Sequence, residues 1–182
     1  DSYHPCQALA DLFTIQEKKG KLNQLKLTYI GDGNNMAHSL LLAAAKVGLD
    51  ISIASPQSYQ PKQEIVQKAK KIAQESSSNI EIVTDAEAAI KDADVVYTDV
   101  WASMGDEDEA DQRKEVFKNY QVNQKLMELA ADQAIFLHCL PAHRGEEVTA
   151  NVIDSKQSVV FDQAENRLHL QKAIMVKLMQ NK

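Results

Sequence analysis

The chain has 182 residues, of which 44% are hydrophobic and 25% charged, and its formal net charge is -6. These proportions are those of an ordinary globular domain, and the length suits one domain that buries its own core. No stretch approaches the ~20 consecutive apolar residues of a membrane helix, no signal segment begins the chain, and the acidic balance argues against nucleic acid as the main partner.

Helical and strand patterns alternate along the chain. In order, they predict helix 8–19, strand 25–30, helix 36–47, strand 51–54, helix 64–74, strand 80–83, helix 86–91, strand 93–100, helix 123–131, strand 134–140, an extended run 158–161 and helix 165–179. Strands that alternate with helices form right-handed βαβ units. We therefore expect a single-domain α/β fold, a doubly wound (Rossmann-like) open parallel sheet flanked by helices.

Polar clusters follow three of the predicted strands. They lie at 31–35 (Gly-Asp-Gly-Asn-Asn), 99–105 (Asp-Val-Trp-Ala-Ser-Met-Gly) and 138–141 (His-Cys-Leu-Pro). Ligands of doubly wound sheets bind at the carboxyl ends of the strands. We therefore expect the three clusters to converge on one edge of the sheet.

The glycine loop after the first strand does not fit a dinucleotide site. The third glycine of G-x-G-x-x-G would fall at Met36, and the second strand runs into Ser55 without an acid for a ribose hydroxyl. In one interpretation Asn34 or Asn35 only caps the following helix. In the other, one of the two asparagines caps and its neighbour reaches a small polar ligand.

Cys139 is the clearest candidate for a reactive group. A free cysteine often only packs, but this one follows a strand and has His138, His143 and Arg144 near it in sequence, and positive charge would favour the thiolate. The two histidines and Cys139 lack the paired spacing of structural zinc sites, so we expect no metal. Cys6 is too distant in sequence for a disulfide framework, which indicates a reducing, cytoplasmic location.

Two further charged residues, Asp99 and Arg167, and one acidic run are candidates for a functional role. Asp99 directly follows a strand and either forms a turn or holds a cationic ligand group. The acidic run 106–111 is either a solvated helix start or a lid with Gly105 as its hinge. Arg167 is predicted to open the last helix, where a cation opposes the helix dipole, and this favours an anion-binding role.

Five motifs, taken together and in this order, resemble the ornithine carbamoyltransferases. They are His-Pro-Cys-Gln-Ala-Leu-Ala-Asp at 4–11, the clusters at 31–35, 99–105 and 138–141, and Ala-Glu-Asn-Arg at 164–167. The Ser-Met-Gly run at 103–105 separates the ornithine enzymes from those that use aspartate or putrescine. The Ser-Thr-Arg-Thr-Arg-type phosphate loop of the family is absent. The resemblance thus implies that residues 1–182 are the ornithine-binding C-terminal domain, with a carbamoyl-phosphate domain expected before Asp1 and no activity for this chain alone.

The resemblance also implies roles for nine residues. Ornithine would be held by Asn35, Asp99, Ser103 and Met104, carbamoyl phosphate would contact His4, Gln7, Leu140 and Arg167, and Cys139 would accept a proton. No metal or organic cofactor is implied, and the partners would be the two substrates, the N-terminal domain and the other subunits of a homotrimer. A non-catalytic amino-acid-binding module and a carbamoyltransferase for another amine remain as alternatives.

Overall fold

The computed structural model describes residues 2–102 and 109–180, without the side chain of Ala110. Its helices are α1 (Pro5–Lys19), α2 (Asn35–Val47), α3 (Gln63–Ser76), α4 (Ala86–Ile90), α5 (Ala110–Phe117), α6 (Gln124–Met127), α7 (Ala150–Ile153) and α8 (Val160–Gln180). Its strands are β1 (Lys26–Ile30), β2 (Asp50–Ala54), β3 (Ile80–Val83), β4 (Val95–Thr98) and β5 (Ile135–His138). Within these residues, no helix is long and apolar enough to cross a membrane.

The five strands form one parallel sheet in the order β3-β2-β1-β4-β5. Tyr29 of the central strand pairs with Ile53 on one side and with Tyr97 on the other. The chain builds outwards from β1 through β2 to β3 and then crosses back to β4, so the direction of winding reverses between β1 and β4. This is the topological switch point at which doubly wound sheets bind ligands, and the predicted fold is confirmed.

Helices cover both faces of the sheet because alternate strand residues point to opposite sides. Tyr29 and Tyr97 belong to a core that also contains apolar side chains of α1, α2 and α3. Ile30 and Val96 belong to a second core with side chains of α4, α6 and α7. The strand ends are thereby fixed from both sides, and the loops that follow them are held at one edge.

The extended run predicted at 158–161 is wrong. Ser158 makes a single bridge to Phe136, and Val160 already begins α8, five residues before the predicted start. Val160 is buried whereas Phe161 is 76% exposed, so the alternation imitates a strand at the first turn of a helix. Arg167 therefore lies about two turns inside α8, and the argument that it opposes the dipole at the helix start fails. Helix α5 begins within the acidic run 106–111, for which a helix start was one of the two interpretations, whereas α7 was not predicted.

Candidate active site at the carboxyl edge of the sheet

The loops after β1, β4 and β5 surround one cleft of about 720 Å³, which we call the edge cleft. Its lining includes five of the nine residues for which the resemblance implies roles: His4, Asn35, Asp99, Cys139 and Leu140. Gln7 and Arg167 do not line it, and Ser103 and Met104 lie outside the described residues. The structure thus brings residues of all three strand-end clusters to the switch point.

Three hydrogen bonds orient the Asp99 carboxylate in the edge cleft. Its Oδ2 accepts a hydrogen bond from Asn34 Nδ2 at 2.9 Å, and its Oδ1 accepts from Cys139 Sγ and from the backbone N–H of Val100 at 2.9 and 2.8 Å. The side chain lines the cleft although the residue is only 7% exposed. A carboxylate held in this way can pair with a cation that enters the cleft, because carboxylate oxygens accept more than one hydrogen bond.

The two asparagines of the glycine loop have separate positions. Asn34 is the N-cap of α2, and its Oδ1 accepts from the backbone N–H groups of Met36 and Ala37 at 2.9 and 3.2 Å. Asn35, the first residue of α2, is half-buried and lines the edge cleft. Asn34 is therefore committed to the cap and to Asp99, which leaves Asn35 as the asparagine available to a ligand.

Gly33 is required by a close approach of two loops. Its backbone N–H donates to the carbonyl oxygen of Tyr59 at 2.7 Å. A Cβ atom at this position would lie 2.2 Å from the backbone nitrogen of Pro61 and 2.4 Å from the carbonyl carbon of Gln60. The glycine therefore serves to bring the 57–61 segment against the loop after β1, where it forms one wall of the cleft.

Cys139 is a protonated thiol in this structure. Burial and the neighbouring Asp99 carboxylate raise the pKa of Cys139 well above its ordinary value. The cation expected to favour a thiolate is directed elsewhere, since Arg144 forms an ion pair with Asp154 at 2.8 Å on the surface, and His143 is exposed. The expectation of a thiolate is wrong for the unliganded site.

His138 organises the loop that carries Cys139 and Leu140. Its Nδ1 accepts from the backbone N–H of Leu140 at 2.9 Å, so the proton of the neutral ring is on Nε2, which faces Glu147 Oε1 at 3.2 Å. The same Glu147 oxygen accepts from the backbone N–H of His143 at 2.6 Å. These bonds hold Leu140 at a φ of 56°, a left-handed conformation that needs such support.

Within residues 2–102 and 109–180, two clusters contain the donor types of metal sites, Asp99 with His138 and Cys139, and His143 with Glu146 and Glu147. In the first, both ring nitrogens of His138 are already used by Leu140 and Glu147. In the second, Glu146 forms an ion pair with Lys114 at 2.9 Å. Neither cluster offers a full set of uncommitted ligands.

Besides Leu140, the residues implied for carbamoyl phosphate lie in α1 and α8 or directly before α1. His4 precedes α1 and donates its backbone N–H to Ser39 Oγ at 2.8 Å. Burial and the charge of Arg167 lower the pKa of His4, so its imidazole is neutral at pH 7. Gln7 is buried, and its Nε2 donates to Asp11 Oδ1 at 2.8 Å.

Arg113 is a site-building residue that the sequence reasoning missed. Its guanidinium donates to Asp32 Oδ2 at 2.8 Å and to the carbonyl oxygen of Trp101 at 3.0 Å, and it lies 5.0 Å from the centre of the Tyr59 ring. It therefore joins the segments that follow β1, β4 and β2. The sequence signal that could have found it is an arginine that lies between Asp111 and Glu115, in a segment that otherwise looks like a solvated helix.

Comparisons with known proteins find carbamoyltransferases along nearly the whole chain. Residues 23–178 match the family model described as the aspartate/ornithine carbamoyltransferase, Asp/Orn binding domain. The ornithine carbamoyltransferase of Oceanobacillus iheyensis is 62% identical over 179 residues, which are 98% of this chain and 56% of that protein. That of Thermococcus kodakarensis is 56% identical over 179 residues, covering 98% of this chain and 57% of that protein.

Solved structures give the same result. The ornithine carbamoyltransferase of Pyrococcus furiosus superimposes with a TM-score of 0.93 at 55% identity, over 96% of this chain and 56% of that one. The anabolic ornithine carbamoyltransferase of Campylobacter jejuni superimposes with a TM-score of 0.92 at 41% identity, over 99% of this chain and 60% of that one. The chain thus spans little more than half the length of the relatives that it matches. By sequence and by structure, the chain belongs to the aspartate/ornithine carbamoyltransferase family.

Proposed function

We propose that this chain is the ornithine-binding half of an ornithine carbamoyltransferase, which forms citrulline and phosphate from ornithine and carbamoyl phosphate. The observation that carries the proposal is the Asp99 carboxylate, oriented by three donors and lining a cleft beside the Cys139 thiol. The names of the similar proteins support the same reaction. The ornithine-binding unit is proposed to be residues 1–182, preceded by a carbamoyl-phosphate domain.

Asp99 is proposed to receive the side-chain ammonium of ornithine. A primary amine of this kind has a pKa of ~10, as in lysine, and arrives charged at neutral pH. The Asp99 carboxylate neutralises that charge in a partly enclosed cleft. Asn35 contacts the same substrate from the start of α2, and Ser103 and Met104, outside the described residues, are proposed to complete its binding.

Cys139 is proposed to accept the proton that the ammonium must lose before the amine can attack. In the unliganded site the charge of Asp99 helps to keep the thiol protonated. An ammonium bound between them neutralises that charge and favours release of the thiol proton to solvent, after which the thiolate takes one proton from the ammonium and leaves the neutral amine. The chemistry therefore depends on substrate binding rather than on a thiolate formed in advance.

In the next step the neutral amine attacks the carbamoyl carbon, and a tetrahedral intermediate forms before phosphate leaves. Its oxyanion requires donors, which we assign to the His4 imidazole and the Arg167 guanidinium. The carbamoyl NH₂ group requires acceptors, which we assign to the carbonyl oxygen of Leu140 and to Gln7. No metal or organic cofactor has a step in this scheme, and the phosphate is bound mainly by the N-terminal domain.

The complete enzyme is proposed to be a cytoplasmic homotrimer, in keeping with the family resemblance and with two cysteines that are both free thiols. The experiment is to measure carbamoyl transfer by the complete protein with ornithine, putrescine and aspartate as acceptors. Transfer to ornithine, with formation of citrulline, and no transfer to putrescine or aspartate supports the proposal. Transfer to another amine in preference to ornithine, or no transfer by folded protein, contradicts it.

A further inference from the structure

A polar network lies buried between α1, α8 and the sheet, and Asp11 is its centre. The Asp11 residue is fully buried, and its Oδ1 accepts hydrogen bonds from Gln7 Nε2 at 2.8 Å and from Gln163 Nε2 at 2.6 Å. Gln163 Nε2 also lies 3.2 Å from the hydroxyl of Tyr97 on β4. A carboxyl group is costly to bury, and none of the roles assigned above uses this one.

Asp11 determines which end of the Gln7 amide points away from it. The oxygen atom that faces Gln7 and Gln163 only accepts, so both glutamines must direct their NH₂ groups towards it. The Gln7 Oε1 atom is consequently directed elsewhere, and it is buried without a hydrogen-bond partner among the described residues. A buried acceptor in this state calls for a donor that the described residues do not supply.

The same carboxyl group also fixes the end of β5. With its Nε2 held by Asp11, Gln163 turns its Oε1 to the backbone N–H of His138, which donates to it at 2.9 Å. His138 in turn holds the backbone N–H of Leu140. Both acceptors assigned to the carbamoyl NH₂ group, Gln7 Oε1 and the Leu140 carbonyl, are thus connected to one oxygen of Asp11.

We propose that Asp11 is a positioning residue for carbamoyl transfer, which presents Gln7 Oε1 to the NH₂ group of carbamoyl phosphate. This inference rests on the proposed function, which assigns Gln7 to the carbamoyl NH₂ group, and adds to it the residue that orients the Gln7 amide. The orientation holds in both protonation states of Asp11, because a proton on Oδ2, which has no partner among the described residues, leaves Oδ1 free to accept.

The alternative is that Asp11 only ties α1 to α8. Thr14 provides a matched comparison, since it lies one turn further along α1, is equally buried and accepts from Asn166 Nδ2 of α8 at 3.1 Å. Thr14→Val removes a buried bond between the same two helices without touching Gln7. Effects of Asp11 on the fold alone should therefore be reproduced by this variant.

The test compares carbamoyl phosphate with acetyl phosphate, in which a methyl group replaces the NH₂ group. In the complete enzyme we expect Asp11→Leu to raise the KM for carbamoyl phosphate roughly tenfold or more. The inhibition constant of acetyl phosphate and the KM for ornithine should stay within about twofold of the wild type. The preference for carbamoyl phosphate is the ratio of the inhibition constant of acetyl phosphate to the KM for carbamoyl phosphate. Asp11→Asn retains an accepting oxygen and should restore this ratio, and Thr14→Val should leave it unchanged.

Each other outcome overturns a defined part of the reasoning. An active wild type with the same preference for carbamoyl phosphate in Asp11→Leu overturns the positioning role alone. If Asp11→Leu does not fold, Asp11→Ala is measured in the same way, and failure of both to fold while Asp11→Asn folds assigns Asp11 to the fold and overturns the proposal. A folded wild type that forms no citrulline overturns the proposed function, and this inference with it.

Discussion

The pH dependence of stability should change when Asp11 is replaced by asparagine. Burial raises the pKa of Asp11 from 3.8 to about 7 in the folded chain, although hydrogen bonds from Gln7, Gln163 and Tyr97 oppose the increase. The folded chain therefore binds this proton more tightly than the unfolded chain. Protonation of Asp11 contributes stability that is fully present below about pH 4 and is lost as the pH rises through about 7, on the order of 4 kcal/mol over the whole range.

The assay is urea unfolding of the wild type and of Asp11→Asn, followed by circular dichroism between about pH 5 and about pH 9. Asparagine does not titrate, so the difference in free energy of unfolding should move by about 3 kcal/mol in favour of the variant over this interval. Other titrating groups are present in both proteins and cancel in the difference. Thr14→Val should show a constant offset from the wild type. Parallel curves for Asp11→Asn and the wild type would refute a raised pKa for Asp11.

Three substitutions test the edge cleft. Asp99→Asn should weaken ornithine binding by about 1.5–3 kcal/mol, the value of a hydrogen bond to a charged group, while the melting temperature changes little; an unchanged KM for ornithine would remove Asp99 from the site. Gly33→Ala should lower the free energy of unfolding by about 1–3 kcal/mol through overpacking against Pro61. The loss should exceed that of Gly20→Ala, where the Cβ meets open space and only the strain of a φ of 75° is added; an equal or smaller loss for Gly33→Ala in urea unfolding would contradict this. Arg113→Lys keeps the charge but not the planar set of donors, so it should lower the free energy of unfolding in urea by about 1–3 kcal/mol. An unchanged free energy would show that the hydrogen bonds of Arg113 to Asp32 and Trp101 are dispensable.

The sheet could be predicted because each strand has a short, strongly apolar pattern between turns. Strands 51–54 and 80–83 of the sequence pattern correspond to β2 and β3 within one residue. The failure at 158–161 occurs where β-branched residues start a helix. Tertiary packing decides there, since Val160 is buried against the second core and local propensity does not record that contact.

The positions of Asp99 and Cys139 could also be predicted, because the ends of parallel strands meet at one edge. The charge state of Cys139 could not. Sequence neighbours suggested a cationic environment, but Arg144 turns to Asp154 on the surface, and the thiol instead donates to the carboxylate of Asp99, 40 positions earlier in the chain. Electrostatics follows distances in space, which the order of residues does not give.

Asp11 marks the limit of what a motif can show. It closes the motif at 4–11, and its spacing of four from Gln7 on a helix predicts that the two side chains meet. The sequence does not reveal that Gln163, 152 positions away, shares the same carboxylate oxygen. One accepting atom thereby orients two amides, one on α1 and one on α8, and only the packing of these helices against β4 and β5 makes that oxygen part of the proposed site.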